Sequence, residues 1–238
     1  MSQITVSDFN VDVVRKNIKN IHLGVYPPNG RVRISVPLFV KEDTIRLFVA
    51  TKLSWIRRQQ KKFKEQPRQT IREYKEKESH YLQGKRFLLK VIEANAAPKV
   101  ILQSANTITI QVRPGSSIEK RKAVMDKWYR DILKESIPLL INKWERILKV
   151  NVNEFGIKQM KTRWGTCNTK AKRIWLNLEL AKKPLHCLEY IVVHEMIHLL
   201  ERKHNDRFKE LITIHMPKWK QYKSELNKFP VSHSEWEY

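Results

Sequence analysis

The stretch Val192–His204, VVHEMIHLLERKH, constrains this chain more than any other part of it. His194 and His198 stand four residues apart, so in a helix their imidazoles share one face about one turn apart. That separation suits two bonds of roughly 2.0–2.1 Å to a single zinc ion. Leu188, Val192, Met196 and Leu199 recur at helical spacing and predict a buried back for the same helix. Glu195 follows the first histidine directly, so it is expected beside the metal and not on it. From there it can take a proton from metal-bound water, whose pKa falls from about 15.7 to roughly 7 on binding.

A catalytic zinc needs three protein ligands and one open position. His204, six residues beyond His198, is the candidate for the third. The helix is expected to break within Glu201-Arg202-Lys203. Asn205 or Asp206 would then cap a new helix and turn His204 back toward the ion. Glu201 and Glu210 compete for the same role, but Glu201 is too near in an unbroken helix and Glu210 lies on the next one. The histidine spacing equals that of metzincins, yet Glu201 stands where they carry glycine. Met216 reads as core packing, which disfavours a metzincin.

Upstream lies KQMKTRWGTCN, Lys158–Asn168, where Trp164-Gly165 suggests a turn whose backbone approaches something closely. Lys158, Lys161 and Arg163 are candidates for stabilising an oxyanion or holding phosphate oxygens. Next, RIWLNLELA predicts a strand with Ile174, Leu176, Leu178 and Leu180 on one face. Pro184 sits where a first helical residue is often proline, and a second helix is expected from about Asp206.

The N-terminal part reads as a small mixed α/β region. IHLGVYPPNGRVRISVP alternates on both sides of a turn signal and predicts a hairpin. KEDTIRLFVATKLSWIRRQQKKFK predicts one amphipathic helix through Ile45, Phe48, Val49, Lys52, Leu53 and Ile56, capped by Asp43 or Thr44. Glu65–His80 reads as a polar connector. RFLLKVIEA, KVILQSA and TITIQVR predict three strands, and a long helix follows from Ser117, kinked or divided at Pro138. No internal repeat is visible. The expectation is an α+β chain with an N-terminal β-rich region over 1–115 and a metal-binding catalytic region over 116–238.

The 238 residues carry a net charge of +23, from 47 Lys and Arg against 24 Asp and Glu, so phosphates on nucleic acid or a nucleotide are admissible partners. The basic residues are spread along the chain, however, and a solvated Lys/Arg surface explains them equally well. No run of about 18 apolar residues exists, which excludes a membrane helix. The start MSQITVSDFN lacks a secretory signal, so a cytoplasmic location is expected, with Cys167 and Cys187 as reduced thiols.

Together KQMKTRWGTCN, IWLNLELAKKP, YIVVHEMIHLLERKHNDRF and MPKW resemble the YgjP-like family of predicted metallopeptidases, related to SprT-like and WLM zinc proteins. The resemblance extends through VRISVP, KLSWIRRQ and WYRDILKESIPLLINKW. Thr166 stands where the family more often has Ser, and Met216 where Leu is expected. The resemblance implies a minimal zincin-like region (a strand, the HExxH helix and a following helix). In it His194, His198 and His204 hold zinc, or another divalent cation, and Glu195 is the base. It implies a peptide or protein substrate. One member is instead assigned as a pyrophosphatase acting on uridine triphosphate, so a nucleoside triphosphate is the alternative. A nucleic-acid-binding protein with a structural zinc is a third reading, though no helix-turn-helix, zinc-finger or RRM signature occurs.

Overall fold

A computed structural model of the chain describes residues 2–26, 30–65, 72–160 and 163–228. The architecture is α+β, as expected, and divides into two compact units, one built on Met1–Arg68 and one over Gln69–Ser232. The boundary expected at 115/116 falls inside the second unit. The helix that follows this point shares one apolar core with the sheet that precedes it.

The first unit is a four-stranded sheet of β1 (Ser2–Val6), β2 (Phe9–Lys16), β3 (His22–Tyr26) and β4 (Arg31–Pro37), in the order β1-β2-β4-β3. β3 and β4 form the expected antiparallel hairpin, whose turn Pro27–Asn29 lies outside the described residues. Val11, Val13, Val32, Ile34 and Val36 point to one face and pack with Ile45, Val49 and Ile56. Those three belong to two helices, α1 (Glu42–Ala50) and α2 (Leu53–Glu65), where the periodicity predicted one. The break has a local cause. The Thr51 hydroxyl donates to the Phe48 carbonyl at 2.7 Å, and the Lys52 N–H turns back to the Val49 carbonyl at 2.9 Å. Neither Asp43 nor Thr44 caps α1. Its N-cap is Lys41, without a side-chain bond, and Glu42 and Asp43 sit in the first turn, where the helix dipole favours them.

The second unit opens with another four-stranded sheet: β5 (Ser79–Leu82), β6 (Lys85–Glu93), β7 (Lys99–Ser104) and β8 (Thr107–Val112), in the order β5-β6-β8-β7. β5 lies inside the segment read as a connector, of which residues 66–71 are outside the described residues. Both sheets run antiparallel, parallel, antiparallel across that order, and helices follow each of them. The chain therefore repeats a connectivity that its sequence does not reveal. What the copies share is alternation: Val11 and Val13 face Val32 and Ile34, while Leu89 and Val91 face Ile108 and Ile110.

α3 (Ile118–Leu148) starts at Ser117, whose side chain accepts from the Lys120 N–H. Pro138 does not divide it. The buried row Met125, Tyr129, Leu133, Ile137, Ile141, Trp144 and Leu148 keeps its phase through the proline, so packing holds both halves as one helix. A third sheet follows, β9 (Glu154–Lys158), β10 (Gly165–Asn168) and β11 (Arg173–Asn177), in the order β10-β11-β9. The predicted strand ends at Asn177. Leu178–Lys182 coil instead into a 3-10 helix, with Leu178 to Ala181 all buried.

α4 (Leu185–Ile197) then begins after Pro184, which serves as N-cap and not as first helical residue. α5 (Asp206–His215) and α6 (Trp219–Lys228) complete the described fold. Among the described residues no helix is long and apolar enough to cross a membrane, and both cysteines are free.

The β5–β6 turn ties the second unit together. Gln83 and Gly84 both have positive φ, as a tight two-residue hairpin turn of this hand requires. Their N–H groups donate to the Ala181 and Lys182 carbonyls at 2.9 and 3.1 Å. A Cβ at Gly84 would meet Pro184 Cγ at 2.7 Å, whereas at Gly115, also at positive φ, it would meet nothing within 4 Å. Gly115→Ala should therefore cost only the left-handed strain, about 1 kcal/mol, and Gly84→Ala clearly more, measured as the shift in urea midpoint at unchanged slope. Equal losses would refute the docking role of this turn.

Candidate metal centre

α4 lies within the apolar core, with Cys187, Leu188, Val192, Val193, Met196 and Ile197 all buried. Its remaining face carries His194 and His198, whose ring centroids stand 5.1 Å apart. α4 ends at Ile197 with His198 as C-cap, and the last turn closes where the Glu201 N–H donates to the Ile197 carbonyl at 2.9 Å, next to the predicted break. The chain turns through residues 198–205, and Asn205 caps α5 by accepting from the Phe208 N–H at 3.0 Å. This turn returns His204 to the first two histidines. Its Nε2 lies 2.9 Å from His194 Nε2, and the candidate ligand atoms of all three rings lie within 4.8 Å of one another.

Phe208, 3 % exposed, is the surface against which the cluster forms. Its ring centroid is 4.9 Å from His194, 4.9 Å from His198 and 4.7 Å from His204. The Glu201 carbonyl lies 3.1 Å from His198 Nδ1. A carbonyl can only accept, so Nδ1 is the donor there and Nε2 is the ring atom left to face a metal. Glu201 itself accepts from the Lys203 N–H and stays out of the cluster, and Glu210 is exposed on α5.

The donor set fits a zinc ion. Three imidazoles converge, with no thiolate or carboxylate in the cluster, as in three-ligand catalytic sites. Nitrogens sharing one tetrahedral zinc stand roughly 3.4 Å apart, a spacing within the observed range. Burial, with His198 and His204 adding to it, pushes the His194 pKa down to about 3, and His204 is lowered for similar reasons. These rings are therefore neutral, the form that binds metal. His194 Nδ1 is buried without a hydrogen-bond partner.

Glu195 is 5 % exposed, and burial raises its pKa to about 8, with Arg163 pulling the other way. β10 closes over it. A Cβ on Gly165 would stand 2.7 Å from Glu195 Oε1 and 2.8 Å from its Cγ. The close backbone approach expected of Trp164-Gly165 is thus against the glutamate, and Gly165 sits in a strand. Cys167 on the same strand is a thiol whose pKa burial lifts to about 11.

The three basic candidates part company. Arg163 lines the cleft in front of the histidines. Lys158, at the end of β9, lies 4.8 Å over the Trp175 ring and does not line the cleft. Lys161 lies outside the described residues. Arg163 is held in place by a residue that the pattern did not single out. Asn177, fully buried, donates to the Met160 and Arg163 carbonyls at 2.9 and 2.7 Å and accepts from the Glu179 N–H at 3.2 Å. The cleft, about 810 Å³, is further lined by Lys170, Tyr190, Arg202 and Lys223, which spacing alone does not bring together.

The YgjP-like metallopeptidase-domain model matches residues 19–229. The chain belongs to this family. Membership makes it a metallopeptidase-type hydrolase and implies a divalent metal, typically zinc. Among solved structures, the metallopeptidase zymogen of Methanocaldococcus jannaschii jannalysin is similar at 22% identity and a TM-score of 0.34. The match covers 38% of this chain and 92% of that one. No curated protein matches. For this YgjP-like chain, Asn177→Ala should lower stability by about 2–3 kcal/mol, since it strands several buried backbone groups at once, measured by denaturant unfolding. A loss under about 0.5 kcal/mol would show that the loop does not depend on Asn177.

Proposed function

We propose that this chain is a zinc-dependent peptidase in which His194, His198 and His204 hold the ion and Glu195 is the general base. One observation carries the reading: a buried carboxylate, next in sequence to one converging histidine, faces the same cleft as all three. A zinc ion bound there would supply Lewis acidity, polarising a carbonyl and lowering the pKa of a water to roughly 7. Glu195 takes the proton of the attacking water and returns it to the leaving amine nitrogen. Arg163 faces the oxyanion that develops on the scissile carbonyl.

An extended peptide needs a strand edge with unpaired backbone groups. β11 is paired on both sides, with β10 and with β9, and has no edge to offer. β10 ends the sheet and lines the cleft, so its free side is the one an extended peptide pairs with. The triphosphate reading needs Lys158, Lys161 and Arg163 to converge, and Lys158 is drawn to Trp175. A structural zinc is closed by four protein ligands and has no use for a buried carboxylate beside it.

Glu195→Gln should keep its metal and lose at least about 100-fold in turnover of an unstructured protein substrate. His204→Ala should bind clearly less than one zinc per chain by metal analysis. Full activity in the first variant, or full occupancy in the second, would refute the assigned roles.

A further inference from the structure

The cleft is cationic on every side. Arg163 precedes β10, Lys170 lies in the turn after it, Arg202 lies between α4 and α5, and Lys223 is on α6, and all four line the same cavity. Among the described residues its one carboxylate is the buried Glu195. None of the four cations forms a salt bridge among the described residues, although cations elsewhere do, as in Lys143–Glu189 and Lys182–Glu179, and Arg163 acts on Glu195 only from beyond salt-bridge distance.

The acids nearest in sequence are otherwise engaged. Glu201 accepts from the Lys203 N–H, Asp206 pairs with Lys209, and Glu225 pairs with His186. Like charges gathered around a concave site repel one another and raise its potential, and a ligand of opposite charge relieves both.

Resting on the peptidase reading above, we infer that the site selects peptides with acidic residues on both sides of the scissile bond, and that Lys170, Arg202 and Lys223 set this specificity. The placement of the charges favours an extended acidic chain over a compact polyphosphate. Arg163 and Lys170 flank a four-residue strand, which spans about 10 Å at roughly 3.3 Å per residue. A peptide paired along β10 meets the two ends of it with side chains about three residues apart. A triphosphate gathers its charge at one point.

The test uses quenched-fluorescence peptides that differ only in their flanks (Asp/Glu, Asn/Gln or Lys), cleaved by the zinc-loaded full chain. The acidic peptide should exceed the neutral one about tenfold in kcat/KM, chiefly through KM, with the gap narrowing as salt rises. The variant combining Lys170→Glu, Arg202→Glu and Lys223→Glu should invert the order. These are exposed residues, and the single variants Lys170→Gln and Arg202→Gln should each narrow the gap.

Anisotropy of the same labelled peptides on Glu195→Gln should rank them alike without any chemistry. Equal cleavage of all three peptides, a salt-independent ranking, or a wild-type order in the triple variant would overturn the inference and leave the peptidase reading standing. Pyrophosphate release from a nucleoside triphosphate, with every peptide intact, would overturn both.

Discussion

The burial of α4 over Tyr190–Ile197 is the constraint on which the rest depends. His186 and Glu189, in the first turns, pair with Glu225 and Lys143, whereas His194 and Glu195 have one direction left, toward the cleft that β10 and the turn leading to α5 also line. His194, Glu195 and His198 are thereby held at a shared cleft, with one ring nitrogen oriented by a backbone carbonyl and the carboxylate shielded from water. The low-dielectric surroundings that keep His194 neutral also raise the proton affinity of the glutamate. One packing arrangement therefore prepares both the proposed ligands and the proposed base.

The parts around α4 each remove a freedom that the chemistry could not tolerate. Phe208 gives the three rings a common apolar wall, and Asn205 fixes the helix that presents it. Gly165 lets the backbone of β10 close over Glu195, where any side chain would collide. Asn177 satisfies the carbonyls at both ends of the loop before β10, which sets Arg163 at the mouth of the cleft. Beneath this, α3 carries its buried row from the β5–β8 sheet to the 3-10 helix and α4, so sheet and site share one core.

Local pattern was a good guide where the signal is local. The β3–β4 hairpin, strands β6 to β8, the Ser117 cap and the Asn205 cap all follow from alternation or from a capping side chain. It was a poor guide where packing chooses among local options. Leu178–Lys182 has the alternation of a strand but buries successive residues, because the β5–β6 turn and Asn177 take up its backbone groups. Pro138 has the chemistry of a helix breaker but lies within an unbroken buried face. The repeated sheet connectivity escaped notice because apolar alternation is degenerate in residue identity.

By itself the sequence determined the candidate groups: two histidines one helical turn apart, a glutamate beside the first, and a third histidine beyond a break, since helical periodicity and capping are properties of neighbouring residues. Tertiary structure alone decided what surrounds that chemistry. It made β10 and not β11 the free edge, sent Lys158 to Trp175, and gathered Lys170, Arg202 and Lys223 around the cleft. Those residues come from separate elements, and only the folding of distant segments onto one core brings them together.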